Sequence, residues 1–163
     1  MSGDLPRLFA RIAREIDHLE AVRDRLLEGC DAVEPAWIRA NADDPLFVDR
    51  LNSFGMQLGR TGESITKKLL PALLAYANEP VGSVIDNLNT AHKVGWIDDP
   101  VQWTDLNSIR NTLVHEYLED PAFMAQQIEA AVPLVDRIAQ DFQRLRAWAE
   151  RYIDLRNEAG PRR

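Results

Sequence analysis

At 163 residues, with 45% hydrophobic and 28% charged side chains, the chain has the composition of one ordinary globular domain, which excludes a disordered or fibrous protein. The formal net charge of -7 argues against a general nucleic-acid coat, which needs a strong basic field, but leaves room for a local RNA site. No apolar run approaches the roughly 18 residues needed to cross a bilayer, so no membrane partner is expected.

The opening Met-Ser-Gly-Asp-Leu-Pro-Arg lacks a basic stretch followed by an apolar one, and the single cysteine, Cys30, has no companion for a disulfide or a metal. A cytoplasmic protein is the expectation. Proline and glycine then divide the chain into helical segments, and no β-branched run alternates with polar residues, so the fold class is all-α.

Asp4 and Pro6 open a first helix whose Leu5, Leu8, Phe9, Ile12, Ile16, Leu19, Val22 and Leu26 recur every three or four residues, up to Gly29. A short piece follows around residues 34–40. Asp44 and Pro45 start a second long helix that carries Leu46, Val48, Leu51, Phe54, Met56 and Leu58 and runs to about Ala77, with a kink or break expected at Pro71. Within it Gly55, Gly59 and Gly62 form a bare stripe. Each glycine costs about 1 kcal/mol of helix propensity, so a helix of the same subunit or of a twin is expected to approach closely there.

A third helix after Pro80 uses Val84, Ile85, Leu88 and Ala91 and closes at Gly95. Asp99 and Pro100 start a fourth, with Gln102 placed to reach back and Trp103, Leu106, Ile109, Leu113 and Val114 on the core side. Asp120 and Pro121 begin a last long helix with Phe123, Ile128, Val132, Val135, Ile138, Phe142, Leu145, Trp148 and Ile153, interrupted by Pro133. No internal repeat of 20 to 50 residues is present.

The fourth helix also concentrates polar groups, in Arg110-Asn111-Thr112-Leu113-Val114-His115-Glu116-Tyr117. At about 100° per residue, Arg110 and His115 stand roughly 140° apart, so they flank one face and can reach a common ligand without touching. Cleavage of an RNA phosphodiester without a metal needs a base for the 2′-hydroxyl, an acid for the leaving oxygen and a cation for the phosphoryl oxygens. His115 suits the proton transfers, because an unperturbed imidazole titrates near neutral pH. Arg110 suits the anion, because guanidinium stays charged and donates two parallel hydrogen bonds. Asn111 and Tyr117 are supporting, substrate-binding candidates, and Tyr117 can stack on a base.

Arg110, Asn111, four residues between Arg and His, then His115 and Tyr117 match a motif of the HEPN (higher eukaryotes and prokaryotes nucleotide-binding) superfamily, and within it the chain resembles the HepT-like toxins. Trp103 before the motif and a final helix with an internal proline agree, so the resemblance covers roughly residues 46–150. It implies an antiparallel up-down bundle of four to five main helices, in one domain with an N-terminal helix and connector over 1–43, a HEPN core over 44–158 and a frayed tail over 159–163. It further implies a homodimer whose two motifs line one cleft and cut RNA as a metal-independent endoribonuclease, with no cofactor. Such toxins pair with a minimal nucleotidyltransferase antitoxin, which in the family can transfer AMP to the motif tyrosine, here Tyr117. The alternative is a non-catalytic helical module that binds a nucleotide or the nucleotidyltransferase through the same segment.

The remaining polar and aromatic candidates read as structural. Glu116 and Glu119 read as solvated charges within reach of a pairing with Arg110 or the last helix, His18 is a surface residue, and His92 sits at a helix end where a cation meets the negative dipole. Trp37, Trp96, Trp103 and Trp148 are core or interface anchors. The arginines from Arg137 to Arg163 are interspersed with acids and read as a solvated helix face and tail.

Overall fold

The computed structural model describes residues 4–115 and 119–156, without the side chains of Val114 and His115. Among them the chain is helical throughout, with no strand: α1 (Leu5–Leu26), α2 (Pro35–Asn41), α3 (Pro45–Glu63), a π-helical turn (Ser64–Leu69), α4 (Leu70–Tyr76), α5 (Val84–Lys93), α6 (Pro100–His115) and α7 (Pro121–Ala149).

Four of these form the bundle, each packed on its neighbours in the cycle α1, α3, α6, α7. Their directions follow from side chains that meet. Glu28 lies 3.5 Å from Arg50 and Glu15 lies 4.0 Å from Arg60, so α1 and α3 are antiparallel. Gly59 faces Arg110 while Gly62 faces Leu106, so α3 and α6 are antiparallel as well. Trp103 bonds Asp141, and Leu106 shares a crevice with Leu134, which turns α7 back along α6. Phe9 against Phe142 and Arg23 against Asp136 close the up-down-up-down ring. Its core runs from Phe9, Ile12 and Leu19 through Phe54 and Leu58 to Ile128, Ile138 and Phe142, each side chain contributing about 1.5–3 kcal/mol on burial.

The punctuation of the chain acts largely as its chemistry dictates. Asp44, Asp99 and Asp120 accept hydrogen bonds from the N–H groups of Leu46, Val101 and Phe123 at 2.9–3.0 Å, satisfying helix-start donors that have no partner of their own. Asp4 makes no such bond. At α5 the cap is Ser83, in a reciprocal box with Asp86 whose two hydrogen bonds from Ser83 hold that carboxyl below its usual range. Gly29 and Gly95 take the left-handed conformation that ends α1 and α5, and Asn78 does the same after α4.

At Pro71 the expected break takes a specific form. Proline has no N–H, and its ring collides with the carbonyl four residues earlier, at Lys67. The backbone widens into the π turn, in which the Leu70 N–H reaches back to the Ile65 carbonyl, and α4 restarts with Pro71 in its first turn.

Five residues expected on core faces are exposed instead: Leu46, Met56, Val84, Ile85 and Phe123. Leu46, Val84, Ile85 and Phe123 lie in first helical turns. Met56 lies roughly 200° round α3 from Phe54 and so faces outward.

One buried carboxylate, which composition and periodicity did not single out, ties α6 to α7. Asp141, only 4% exposed, accepts from Trp103 Nε1 at 2.8 Å, from the Asp98 backbone N–H at 3.2 Å and from Arg144 Nη1 at 3.4 Å. Burial raises its pKa, against the lowering by Trp103, Asp98 and Arg144. Asp141→Ala leaves buried donors without an acceptor and is expected to cost about 1–3 kcal/mol in urea unfolding. A raised folded-state pKa means that the folded protein holds the proton more tightly. The stabilisation from Asp141 is therefore fully present below the unfolded value of 3.8 and is lost as pH rises through the folded one. The stability of wild type minus that of Asp141→Asn is expected to fall over that window, and a difference flat with pH would contradict it.

Candidate functional site

The polar segment of α6 is placed by the glycines of α3. With no side chain at residue 59, the stem of Arg110 lies directly on the α3 backbone. A Cβ built at Gly59 would stand 2.7 Å from Arg110 Cγ and 2.8 Å from Nε. One turn on, a Cβ at Gly62 would meet Leu106 Cδ2 at 2.8 Å. The approach expected at the glycine stripe is thus made by a helix of the same subunit, and two α6 side chains four residues apart fill the space that the glycines leave.

Arg110 is half-buried in this seat. Its Nη1 donates to Asn111 Oδ1 at 3.0 Å, so Asn111 steadies the guanidinium. Its Nε is buried and has no hydrogen-bond partner among the described residues. Nor does any carboxylate among them pair with Arg110, in contrast with the half-buried Arg23 and Arg50 and the exposed Arg144. Arg23 reaches Asp136 at 2.8 Å, Arg50 reaches Glu28 at 3.5 Å and Arg144 reaches Asp141 at 3.4 Å. A partly desolvated cation without an internal counter-charge attracts an anion to its remaining N–H groups, and the planar fork matches two oxygens of a phosphate or carboxylate.

Arg110 and Asn111 are therefore brought together. His115 is the last residue of α6, five positions on, but its side chain lies outside the described residues, as do Glu116 and Tyr117. The other polar and aromatic residues take structural places. His92 Nδ1 lies 3.3 Å from the Ile97 carbonyl and ties the end of α5 to the next loop, while His18 is exposed. Trp96 and Trp103 are buried, Trp37 packs edge-on against Phe47, and Trp148 makes tilted ring contacts with Trp96 and Tyr152. Arg144, Arg146 and Arg156 are paired with Asp141, Glu150 and Asp154.

Sequence reading alone missed Gly59 as the seat of Arg110. The signal was there in the matched spacing, glycines three apart on one helix against Arg110 and Leu106 four apart on another, but it is legible only once the two helices are known to be antiparallel neighbours.

No protein family, no curated protein and no solved structure matches the chain. The resemblance to the HEPN superfamily thus rests on the Arg-Asn-His-Tyr motif and the helical pattern around it.

Two substitutions test whether Arg110 is held for a ligand or for the fold. Arg110→Met keeps the apolar stem and removes a buried donor without an acceptor, so thermal unfolding is expected to show unchanged stability or a gain of about 1 kcal/mol. A loss of several kcal/mol would make Arg110 a structural cation. Gly59→Ala brings up to about 1 kcal/mol of helix propensity while displacing Arg110. Folding is expected to survive, while the Arg110 Nε–H resonance in a ¹⁵N spectrum moves and exchanges faster with water.

Proposed function

We propose that the chain is a metal-independent endoribonuclease toxin of a toxin-antitoxin module, in which Arg110 and His115 cut RNA in a cleft shared by two copies. The observation that carries this reading is the half-buried guanidinium of Arg110, seated on Gly59, steadied by Asn111 and paired with no carboxylate among the described residues. It provides an anion site on the helix whose last residue is a histidine, and that combination is what phosphodiester transfer needs.

In this mechanism His115 of one copy removes the proton of a 2′-hydroxyl, whose oxygen attacks phosphorus as the bond to the 5′-oxygen breaks. A protonated His115 delivers the proton to that leaving oxygen. The products are a 2′,3′-cyclic phosphate and a free 5′-hydroxyl. Arg110 donates to the non-bridging oxygens, where negative charge grows, and its partial burial strengthens that interaction over its value in water. Asn111 holds the fork, and Tyr117 contacts the substrate.

Control would come from a minimal nucleotidyltransferase antitoxin that places AMP on Tyr117. A bulky anionic group two residues from His115 would compete for Arg110 and repel RNA. The net charge of -7 favours the second reading, a non-catalytic module that holds a nucleotide or the nucleotidyltransferase through the same segment.

Cleavage of a mixed RNA by purified protein in excess EDTA separates the two. Wild type is expected to leave 2′,3′-cyclic phosphate ends, with a rate that depends on pH around the imidazole range. Arg110→Ala and His115→Ala are each expected to lower kcat by about 10²–10⁴-fold. RNA left intact by wild type at high concentration, with tight binding of a nucleotidyltransferase, would establish the non-catalytic module instead.

A further inference from the structure

Beside Arg110 the same two elements, α3 with its π turn and α6, enclose a cavity of about 260 Å³ together with the start of α5. Its walls are Val84 and Ile85, the latter 60% exposed, and its polar rim is Thr66, Lys67, Thr104 and Asn107. Arg110 does not line the cavity, but Asn107, which does, lies three residues before it on α6, a rise of roughly 4.5 Å along the helix axis.

Several features make this a formed site. The floor is fixed, because Trp103 is locked to Asp141 and Leu106 fills the space over Gly62. The α5 wall is also held, since the Gly82 N–H donates to the buried Asn87 at 2.8 Å and Ser83 and Asp86 cap each other. The π turn, a costly backbone form often found at functional sites, contributes Thr66 and Lys67. Two branched apolar side chains, Val84 and Ile85, stand at the mouth of the cavity.

We propose that this cavity seats one nucleobase of the ligand whose phosphate Arg110 holds, an inference that rests on the ribonuclease reading for its phosphate. The volume lies just below the lower bound of about 300 Å³ for sites that take a drug-sized ligand, which suits one flat ring system and not a dinucleotide. Val84 and Ile85 offer apolar contact to the faces of a ring. The rim is selective. Thr66 Oγ1 donates to the Gly62 carbonyl at 2.9 Å and Thr104 Oγ1 donates to the Val101 carbonyl at 2.8 Å, so both hydroxyl protons are committed and both oxygens are acceptors. Acceptors favour a base with an exocyclic amine, and the Asn107 amide can complement its neighbouring acceptor. Adenine, guanine and cytosine meet that description, and uracil does not. Lys67, in an exposed pair with Glu63 at 3.0 Å, is free to exchange that partner for a phosphate oxygen at small cost.

Calorimetric titration of the full chain with the four nucleoside 3′-monophosphates and with inorganic phosphate tests this, run beside the RNA cleavage assay. The amine-bearing nucleotides are expected to bind about tenfold more tightly than inorganic phosphate and than the uridine nucleotide. Asn107→Ala and Ile85→Gln, both at exposed positions, are expected to remove most of that difference and to leave phosphate affinity unchanged. Nucleotides that bind no better than phosphate, or equally well to both variants, overturn the base site; a cavity built for a protein side chain would give that result. If cleavage persists in that case, the ribonuclease reading survives without the pocket. Tight, variant-sensitive nucleotide binding without any cleavage supports the pocket and removes the nuclease.

Discussion

The close approach of α6 to Gly59 and Gly62 of α3 governs both the packing of the bundle and the geometry of its polar segment. Two glycines in the interior of a helix cost helix propensity, and what they return is distance: the neighbouring helix comes near enough for Leu106 to enter the core and for the stem of Arg110 to lie on bare backbone. A methyl group at Gly59 would displace Arg110, and one at Gly62 would displace Leu106. The interaction that joins two helices is thus also the one that aims the guanidinium.

Several charges among the described residues are matched by close neighbours. Glu63 with Lys67, Glu150 with Arg146 and Asp154 with Arg156 are pairs between exposed side chains, each of little consequence for stability. Asp141 is the buried case, and it is tolerated because three donors from α6, its preceding loop and α7 converge on it. Arg110 is the opposite imbalance: a cation with part of its hydration removed, one donor satisfied by a neutral amide and no acid beside it among the described residues.

The backbone contributes at Pro71. Because a proline there cannot continue the hydrogen-bonding ladder, the helix opens into the π turn, and this widening sets Thr66 and Lys67 beside α5 and α6, around the cavity that adjoins Arg110. Gly62 and Leu106 line that cavity while Gly59, one turn away, receives Arg110, so cavity and guanidinium both rest on the contact between α3 and α6.

The sequence by itself determined the helical class, most helix boundaries and the Arg110, Asn111, His115, Tyr117 motif, because caps, first-turn prolines and apolar periodicity act over a few residues and need no knowledge of the rest of the chain. The α1 core residues and the ends at Gly29 and Gly95 follow that logic directly. It also placed Leu46, Met56, Val84, Ile85 and Phe123 on core faces that they do not occupy, since periodicity reports a helix face and not whether a neighbour covers it. What only the tertiary structure decided was which surfaces meet: that Gly59 receives Arg110, that Asp141 receives Trp103, and that Thr66, Ile85 and Asn107, from three separate elements, surround one cavity. Those contacts join residues far apart along the chain, and their partners are chosen by the order and direction in which the helices pack, which no local pattern encodes.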